Sequence, residues 1–184
     1  ATINMVAYEG AVSFNRVAKI IDVPIKINND NSLPNLVIKK SEINFKDVSF
    51  GYDTSEIKAI KNVNLSIAGG SMAALVGHSG AGKSTILNLL PRFYDPQKGM
   101  IDIDSQNISR VNLNSLRKNI SLVTQDVILF DDTIKKNIAY ARSDATDQEI
   151  LEACKFAAAD EFIDKLPNKF NTLIGENGTR LSGG

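Results

Sequence analysis

The chain has 184 residues, of which 43% are hydrophobic and 23% charged, the proportions of a soluble globular fold. Its 21 basic and 21 acidic residues give no formal net charge, which argues against a dedicated nucleic-acid-binding surface. A single cysteine excludes an internal disulfide and favours a reducing compartment, and no apolar run reaches the roughly 18 residues that a membrane span needs.

The first 41 residues contain one predicted helix and one predicted linker. Apolar residues recur at spacings of three and four over residues 1–22, which predicts a helix. Taken alone, it is most simply a packing helix. We expect it to end before Pro24, because proline disfavours helical conformation in the residue before it. The asparagine-rich stretch 24–41 predicts an irregular linker, and we place a domain boundary there.

Period-two alternation begins at Glu42 and predicts the strands of the fold. The alternation shifts by one residue between positions 45 and 48, which indicates either two strands or one strand with a bulge. The other predicted strands cover residues 63–67, 72–76, 100–103 and 120–124. The apolar runs 72–76 and 120–124 are typical of strands that are buried on both faces.

Three helices are predicted between and after these strands. The first covers residues 83–90, the second covers 115–118, and the third begins at Thr146-Asp147-Gln148-Glu149, which fits a capping box. The third helix has an apolar face made of Ile150, Leu151, Cys154, Ala157 and Ala158, on which Cys154 is expected to be a small buried hydrophobic residue. Antiparallel strands followed by strand–loop–helix units predict the α/β class with a mixed sheet.

A glycine-rich segment that leads into the first of these helices contains the candidate binding residues. Gly77-His78-Ser79-Gly80-Ala81-Gly82-Lys83-Ser84 matches the phosphate-binding P-loop pattern. Glycines let the backbone turn tightly so that N–H groups face phosphate oxygens, and the start of the helix adds its positive dipole. Lys83 would contact the β- and γ-phosphates, and Ser84 would ligate Mg²⁺. The alternative is a chance glycine-rich turn, which the flanking strand and helix disfavour.

Further motifs make the chain resemble the ABC transporter family. Residues 77–85 have that family's form of the loop, and Leu181-Ser182-Gly183-Gly184 matches its signature motif up to a final glutamine. Tyr52 lies at the position of the family's adenine-stacking aromatic, and Gln125 at that of its Q-loop glutamine. The segments 92–96, 129–134 and 174–178 are similar to those of exporter half-transporters. The chain is thus similar to the ATP-binding domains of bacterial lipid and multidrug exporters.

The resemblance implies the site residues and the cofactors ATP and Mg²⁺. The nucleotide would be held by Tyr52, Gly77, His78, Ser79, Gly80, Ala81, Gly82, Lys83, Ser84 and Thr85. Lys83 and Gln125 would serve catalysis, and Ser84 and Gln125 would ligate the metal. Ser182, Gly183 and Gly184 would contact the γ-phosphate of ATP bound to a second ATP-binding domain, which implies a dimer, most simply a homodimer.

Some of these residues have simpler interpretations from the residues alone. Tyr52 is equally well explained as a half-buried tyrosine at a strand end, and Gln125 as a surface glutamine. The last four residues could be a tight turn. His78 is expected to be a loop residue near the phosphates rather than a catalytic base. Asp104 precedes Ser105 where the family commonly has glycine, so that turn could be strained.

The resemblance also implies a domain organisation. Residues 1–23 would be the cytoplasmic extension of a last transmembrane helix, 24–41 a linker, and 42–184 a partial ATP-binding domain with a P-loop NTPase core, an antiparallel part before it and a helical part before the signature motif. The family's metal-binding Asp, catalytic Glu and switch His would lie beyond Gly184. The segment alone is therefore expected not to hydrolyse ATP.

The function implied for the whole protein is ATP-driven export of a lipid or hydrophobic substrate. It would act at the cytoplasmic face of the inner membrane, with a transmembrane domain in the same polypeptide. The alternative is a soluble ABC-type ATPase of DNA repair or translation. A GTPase is disfavoured, because the guanine-reading Asn-Lys-x-Asp pattern is not matched by Asn168-Lys169-Phe170-Asn171.

Overall fold

A computed structural model describes residues 2–53, 57–124 and 128–175. The chain divides into two compact units, residues 1–121 and 122–184. The first unit contains helix α1 (Thr2–Ile21), strands β1 (Ile43–Phe50) and β2 (Ile60–Ile67), helix α2 (Lys83–Leu89), strands β3 (Lys98–Ile103) and β4 (Gln106–Asn107), and helix α3 (Leu113–Lys118). The second contains helices α4 (Ile134–Ile138), α5 (Asp147–Phe156) and α6 (Asp160–Asp164).

Helix α1 confirms the helix predicted over residues 1–22. Among the apolar residues of the predicted packing face whose side chains are described, Phe14, Val17 and Ile21 are 70%, 54% and 74% exposed. This part of the face is therefore not buried among the described residues. No helix among the described residues is long and apolar enough to cross a membrane.

The sheet of the first unit has the strand order β2-β1-β3-β4, and every pair is antiparallel. Strand β1 is one continuous strand whose register shifts between Phe45 and Val48, which confirms the bulged-strand alternative. Helix α2 packs on this sheet, because Leu89 of α2 and Val48 of β1 are both fully buried in the same core. The sheet thus fixes the helix that follows the glycine-rich loop.

The strands predicted at 72–76 and 120–124 are not formed in the described residues. The backbone there is irregular, and the side chains of Met72, Val76 and Val123 are 100%, 90% and 94% exposed. An apolar run favours burial, but a strand forms only where neighbouring strands pair with its N–H and C=O groups. The described sheet is therefore antiparallel throughout, not mixed as predicted, whereas the α/β class is confirmed.

The turn between β3 and β4 holds the end of the segment 24–41, which contains no helix or strand. Asp104 and Ser105 have φ values of 48° and 63°, so the turn without glycine does adopt the strained left-handed conformation. The Asp104 carboxylate accepts the backbone N–H groups of Lys39, Lys40, Ser41 and Glu42 at 2.6, 2.9, 3.1 and 2.9 Å. These four bonds, that of Lys39 foremost, hold the pKa of Asp104 well below its ordinary value.

Two more side chains fasten the same segment to the first unit. The Gln106 amide accepts the N–H of Val37 at 3.0 Å and donates to its carbonyl at 2.7 Å. The N–H of Leu36 donates to Ser115 Oγ at 3.0 Å, and the Leu36 side chain is buried in the core. The segment from Leu36 to Glu42 is therefore bonded to the turn between β3 and β4, to β4 and to α3.

The second unit confirms the predicted capping box. The Thr146 hydroxyl accepts the N–H of Glu149 at 3.3 Å, and the Glu149 carboxylate accepts the N–H of Thr146 at 2.8 Å. This N–H, together with Arg142, lowers the pKa of Glu149 to about 2. Cys154 is buried with Ile150 in the core of the unit, as predicted, and burial raises the pKa of its thiol.

The apolar face of α5 is shorter than the sequence indicated. Ala157 and Ala158 lie beyond the end of the helix at Phe156, and both are exposed. The Ala158 backbone is left-handed, with φ at 53°, so the chain leaves the helical path there. Alanine is a strong helix former, and the pattern of apolar residues gave no sign of this turn.

The Asp104→Ala variant should unfold at a lower temperature than the wild type at about pH 7, because four N–H groups lose their acceptor. The pKa of this carboxyl is lower in the folded chain than its ordinary 3.8, so its contribution is fully present above that value and is lost as the pH falls below it. Thermal unfolding followed by circular dichroism should show a smaller deficit near pH 3.

Asp131→Ala, at an exposed aspartate of the second unit, is the control for the loss of one carboxylate. An equal loss in the control, or a deficit for Asp104→Ala that does not change with pH, would show that the carboxylate does not hold the segment.

Candidate functional site

Residues 77–82 form an irregular loop that leads into α2. Gly80 and Gly82 have φ values of 79° and 84°, in the left-handed region where glycine is favoured. The N–H of Ala81 donates to the carbonyl of His78 at 3.2 Å and closes a tight turn that contains Gly80. The glycine spacing seen in the sequence therefore has a local structural cause.

Gly82 is packed too closely against its neighbours to carry a side chain. It is the N-cap of α2, and a Cβ atom on it would lie 2.5 Å from Ile60 Cγ2 and 2.6 Å from the Ala59 carbonyl oxygen. At Gly80, by contrast, a Cβ would meet no atom within 4 Å. The junction between loop and helix therefore packs directly against the start of β2.

The Lys83 side chain folds back over the loop from the first residue of α2. Its Nζ donates to the carbonyls of Gly77 at 2.8 Å and His78 at 2.7 Å. An ammonium group has three donors, so one remains for an anion even while both carbonyls are engaged. The arrangement holds a positive charge at the loop.

A cavity of about 310 Å³ lies at this loop. Its lining consists of Tyr52, Ala59 and residues 79–85, so most of the predicted nucleotide-binding residues surround one space. Its volume is near the lower end of small-molecule sites, which are roughly 300–1,000 Å³. The Lys83 ammonium and the hydroxyls of Ser79 and Ser84 give this lining donors that suit phosphate oxygens.

Tyr52 forms part of the cavity wall just after the end of β1. Its hydroxyl lies 3.3 Å from Thr85 Oγ1 in α2, and its side chain is half-buried. Its ring makes edge-to-face contacts with Phe50 and Tyr94, with centroids 5.0 and 5.2 Å away. Tyr52 is thus a half-buried tyrosine at a strand end, as its simpler interpretation predicted. It also lines the cavity at the glycine-rich loop, as expected of the aromatic residue that the resemblance assigns to adenine stacking.

Several predicted site residues lie outside the described residues: Gln125, Ser182, Gly183 and Gly184. Ser84, the other predicted Mg²⁺ ligand, is an exposed residue in the first turn of α2. Within the described ranges, no group of three or more His, Cys, Asp or Glu side chains could hold a metal ion. His78 is exposed in the loop, where its carbonyl accepts the Lys83 ammonium.

The sequence profile of the ABC transporter family matches residues 60–184, which include the loop, α2 and the whole second unit. The chain belongs to the ABC transporter family. This confirms the resemblance that the motifs indicated.

Two curated proteins that are similar to this chain carry the names of exporters. An ATP-dependent lipid A-core flippase of Legionella pneumophila (strain Paris) is 46% identical over 183 residues, covering 100% of this chain and 31% of the relative. A putative multidrug export ATP-binding/permease protein of Staphylococcus aureus (strain NCTC 8325 / PS 47) is 47% identical over 168 residues, covering 91% and 29%. The chain thus spans less than a third of the length of these relatives.

The fold of this chain also matches that of a solved structure. A bacterial Atm1-family ABC exporter with ATP bound matches with a TM-score of 0.85 and 42% sequence identity, covering 96% of this chain and 31% of that one. This ABC transporter chain therefore has the α/β P-loop NTPase fold that the sequence predicted.

Two contacts of the site were not foreseen from the sequence. The bond between Tyr52 and Thr85 and the ring contact between Tyr52 and Tyr94 join residues that are far apart in the chain. In the sequence, Tyr94 stands out only as part of the segment 92–96, which is similar to that of exporters. The one available signal was the concentration of aromatic residues in that segment, which does not say what they touch.

Gly82→Ala should lower the free energy of unfolding more than Gly80→Ala, because only the first adds a clash to the strain. Both residues have nearly the same φ, so the left-handed strain of about 1–2 kcal/mol is common to both variants. The difference between the two, measured by denaturant titration, isolates the contact with Ala59 and Ile60. Equal losses would mean that this contact does not constrain the loop.

Proposed function

We propose that this chain is the ATP-binding motor segment of an ABC exporter. The observation that carries the proposal is the Lys83 ammonium held over a loop of left-handed glycines, at a cavity whose wall includes Tyr52. The loop supplies polar backbone and a cation for a phosphate chain, and the tyrosine supplies an aromatic face for a base. The ATP-bound state of the related exporter structure supports the same ligand.

Each residue then has a defined part in binding Mg-ATP. Lys83 binds the β- and γ-phosphates with the donor that its carbonyl contacts leave free, and it can transfer the other two to phosphate oxygens. Ser84 and Gln125 ligate Mg²⁺, which when bound neutralises charge on the phosphates. Tyr52 stacks on the adenine. Residues 77–85 position the phosphate chain, and Lys83 and Gln125 serve hydrolysis.

The whole protein would couple ATP binding and hydrolysis to export. Ser182, Gly183 and Gly184 would complete the ATP site of a second ATP-binding domain, most simply in a homodimer. The transported molecule would be a lipid or another hydrophobic substrate, as the names of the relatives suggest for those proteins. These relatives are exporters, which disfavours an ATPase of DNA repair or translation.

The domain organisation follows from this function. We propose that residues 1–23 continue from a last transmembrane helix, that 24–41 link it to the motor, and that 42–184 are part of the ATP-binding domain. The bonds from Asp104, Gln106 and Ser115 support a linker that is firmly attached at its motor end. The motor would lie at the cytoplasmic face of the inner membrane.

Lys83→Ala in the full-length protein should raise the dissociation constant of Mg-ATP about 10- to 100-fold. A hydrogen bond to a charged group contributes about 1.5–3 kcal/mol, and each 1.4 kcal/mol corresponds to a tenfold change. Isothermal titration calorimetry measures the constant directly. Lys118→Ala, at an exposed lysine in α3, controls for the general loss of positive charge. Unchanged affinity in Lys83→Ala would refute the proposed phosphate site.

Tyr52→Ala should also weaken ATP binding, since stacking of a base on an aromatic ring contributes about 1–3 kcal/mol. Tyr52→Phe should retain most of the affinity, because the ring rather than the hydroxyl stacks on the base. Fluorescence titration with a labelled ATP analogue would compare the two variants. If Tyr52→Ala binds as tightly as the wild type, the base contacts another surface.

A further inference from the structure

Three aromatic rings, those of Phe50, Tyr52 and Tyr94, touch one another beside the proposed nucleotide site; we refer to them as the aromatic triad. The planes of Phe50 and Tyr94 lie at 85° and 89° to the plane of Tyr52, and these two rings are 5.3 Å from each other. Edge-to-face pairs of this kind are favourable and fix the relative orientation of the rings. Tyr52 is therefore held by a ring at the end of β1 and by one from a distant loop.

The loop that carries Tyr94 is fixed by two arginines. Arg92 is 93% buried and makes two bonds to the Asp95 carboxylate, from Nε at 2.8 Å and from Nη2 at 2.9 Å. Arg117 donates to the carbonyls of Pro91 and Arg92, both at 2.9 Å. Paired guanidinium–carboxylate bonds have a defined geometry, so the position of Tyr94 is set by this network rather than by the triad alone.

Tyr52 also lines two cavities. One is the cavity at the glycine-rich loop, and the other is a cavity of about 270 Å³ whose lining includes all three triad residues and Phe93. Without the Tyr94 ring, Tyr52 would have room to turn towards the second cavity. A ring that samples several orientations must lose that freedom when a base stacks on it, which weakens binding.

We propose that Tyr94 is a positioning residue for nucleotide recognition, which holds the Tyr52 ring in the orientation that stacks on the base. The proposal rests on the proposed function, and specifically on stacking of the adenine on Tyr52. Tyr94 is itself 41% exposed, so its contact with Tyr52 is not explained by packing in a closed core. It acts through Tyr52 and does not touch the nucleotide.

The test is calorimetry on the full-length protein with two ligands, Mg-ATP and tripolyphosphate, which has no base. Tyr94→Ala should raise the dissociation constant for Mg-ATP about 3- to 10-fold, the range that an edge-to-face ring pair supplies. The constant for tripolyphosphate should stay within about twofold of the wild type, because the phosphate loop is unchanged. Tyr94→Phe should restore ATP binding, since the contact requires the ring alone.

A double variant separates positioning from direct contact. If Tyr94 acts through Tyr52, Tyr94→Ala should have no further effect on ATP binding in the Tyr52→Ala background. Tyr140→Ala is the matched control, because Tyr140 also packs on another ring, that of Phe130, within the second unit. It should leave the affinities for both ligands unchanged.

Each other outcome overturns the proposal in a distinct way. Equal weakening of ATP and tripolyphosphate would show that Tyr94 supports the fold in general. An effect of Tyr94→Ala that persists without the Tyr52 ring would show that Tyr94 contacts the ligand itself. Wild-type ATP affinity in Tyr94→Ala would show that Tyr52 needs no support. Failure of the proposed function would be seen in a separate measurement, in which Lys83→Ala binds ATP as tightly as the wild type.

Discussion

The close approach of Gly82 to Ala59 and Ile60 is the contact on which the candidate site depends. With a left-handed backbone and no space for a Cβ atom, Gly82 lets the chain reverse directly against the start of β2. Helix α2 begins at the next residue, so this contact places both the Lys83 ammonium and Thr85, which bonds to Tyr52. The burial of Leu89 against the sheet then fixes the far end of the helix. The packing of the Gly82 backbone against Ala59 and Ile60 thus sets the junction between loop and helix.

The contacts of Lys83 explain how its ammonium group can be held at the loop and still be able to bind a ligand. Its two partners are carbonyl oxygens, which carry only partial negative charge, whereas phosphate oxygens carry full charges and form stronger charge-assisted hydrogen bonds. Exchange of the carbonyls of Gly77 and His78 for phosphate oxygens would therefore be favourable. Both residues are exposed, so their carbonyls would then bond to water.

Local features of the fold could be predicted from the sequence, because their causes lie within a few residues. The glycine spacing of the loop, the capping box at Thr146 and the bulge in β1 are of this kind. The runs 72–76 and 120–124 were predicted wrongly, since apolar composition does not say which strands would pair with them. The bonds of Asp104 to residues 39–42 and the contact of Tyr94 with Tyr52 are long-range contacts, and nothing near either residue in the sequence indicates its partner.

The proposed function depends on binding of the ATP phosphate chain by the loop of residues 77–82 and by Lys83. The most direct measurement is a structure of the full-length protein with Mg²⁺ and a non-hydrolysable ATP analogue. We predict that Lys83 Nζ lies within hydrogen-bond distance of β- and γ-phosphate oxygens and that the Tyr52 ring lies parallel to the adenine. A nucleotide bound elsewhere, with Lys83 Nζ still on the carbonyls of Gly77 and His78, would contradict the account.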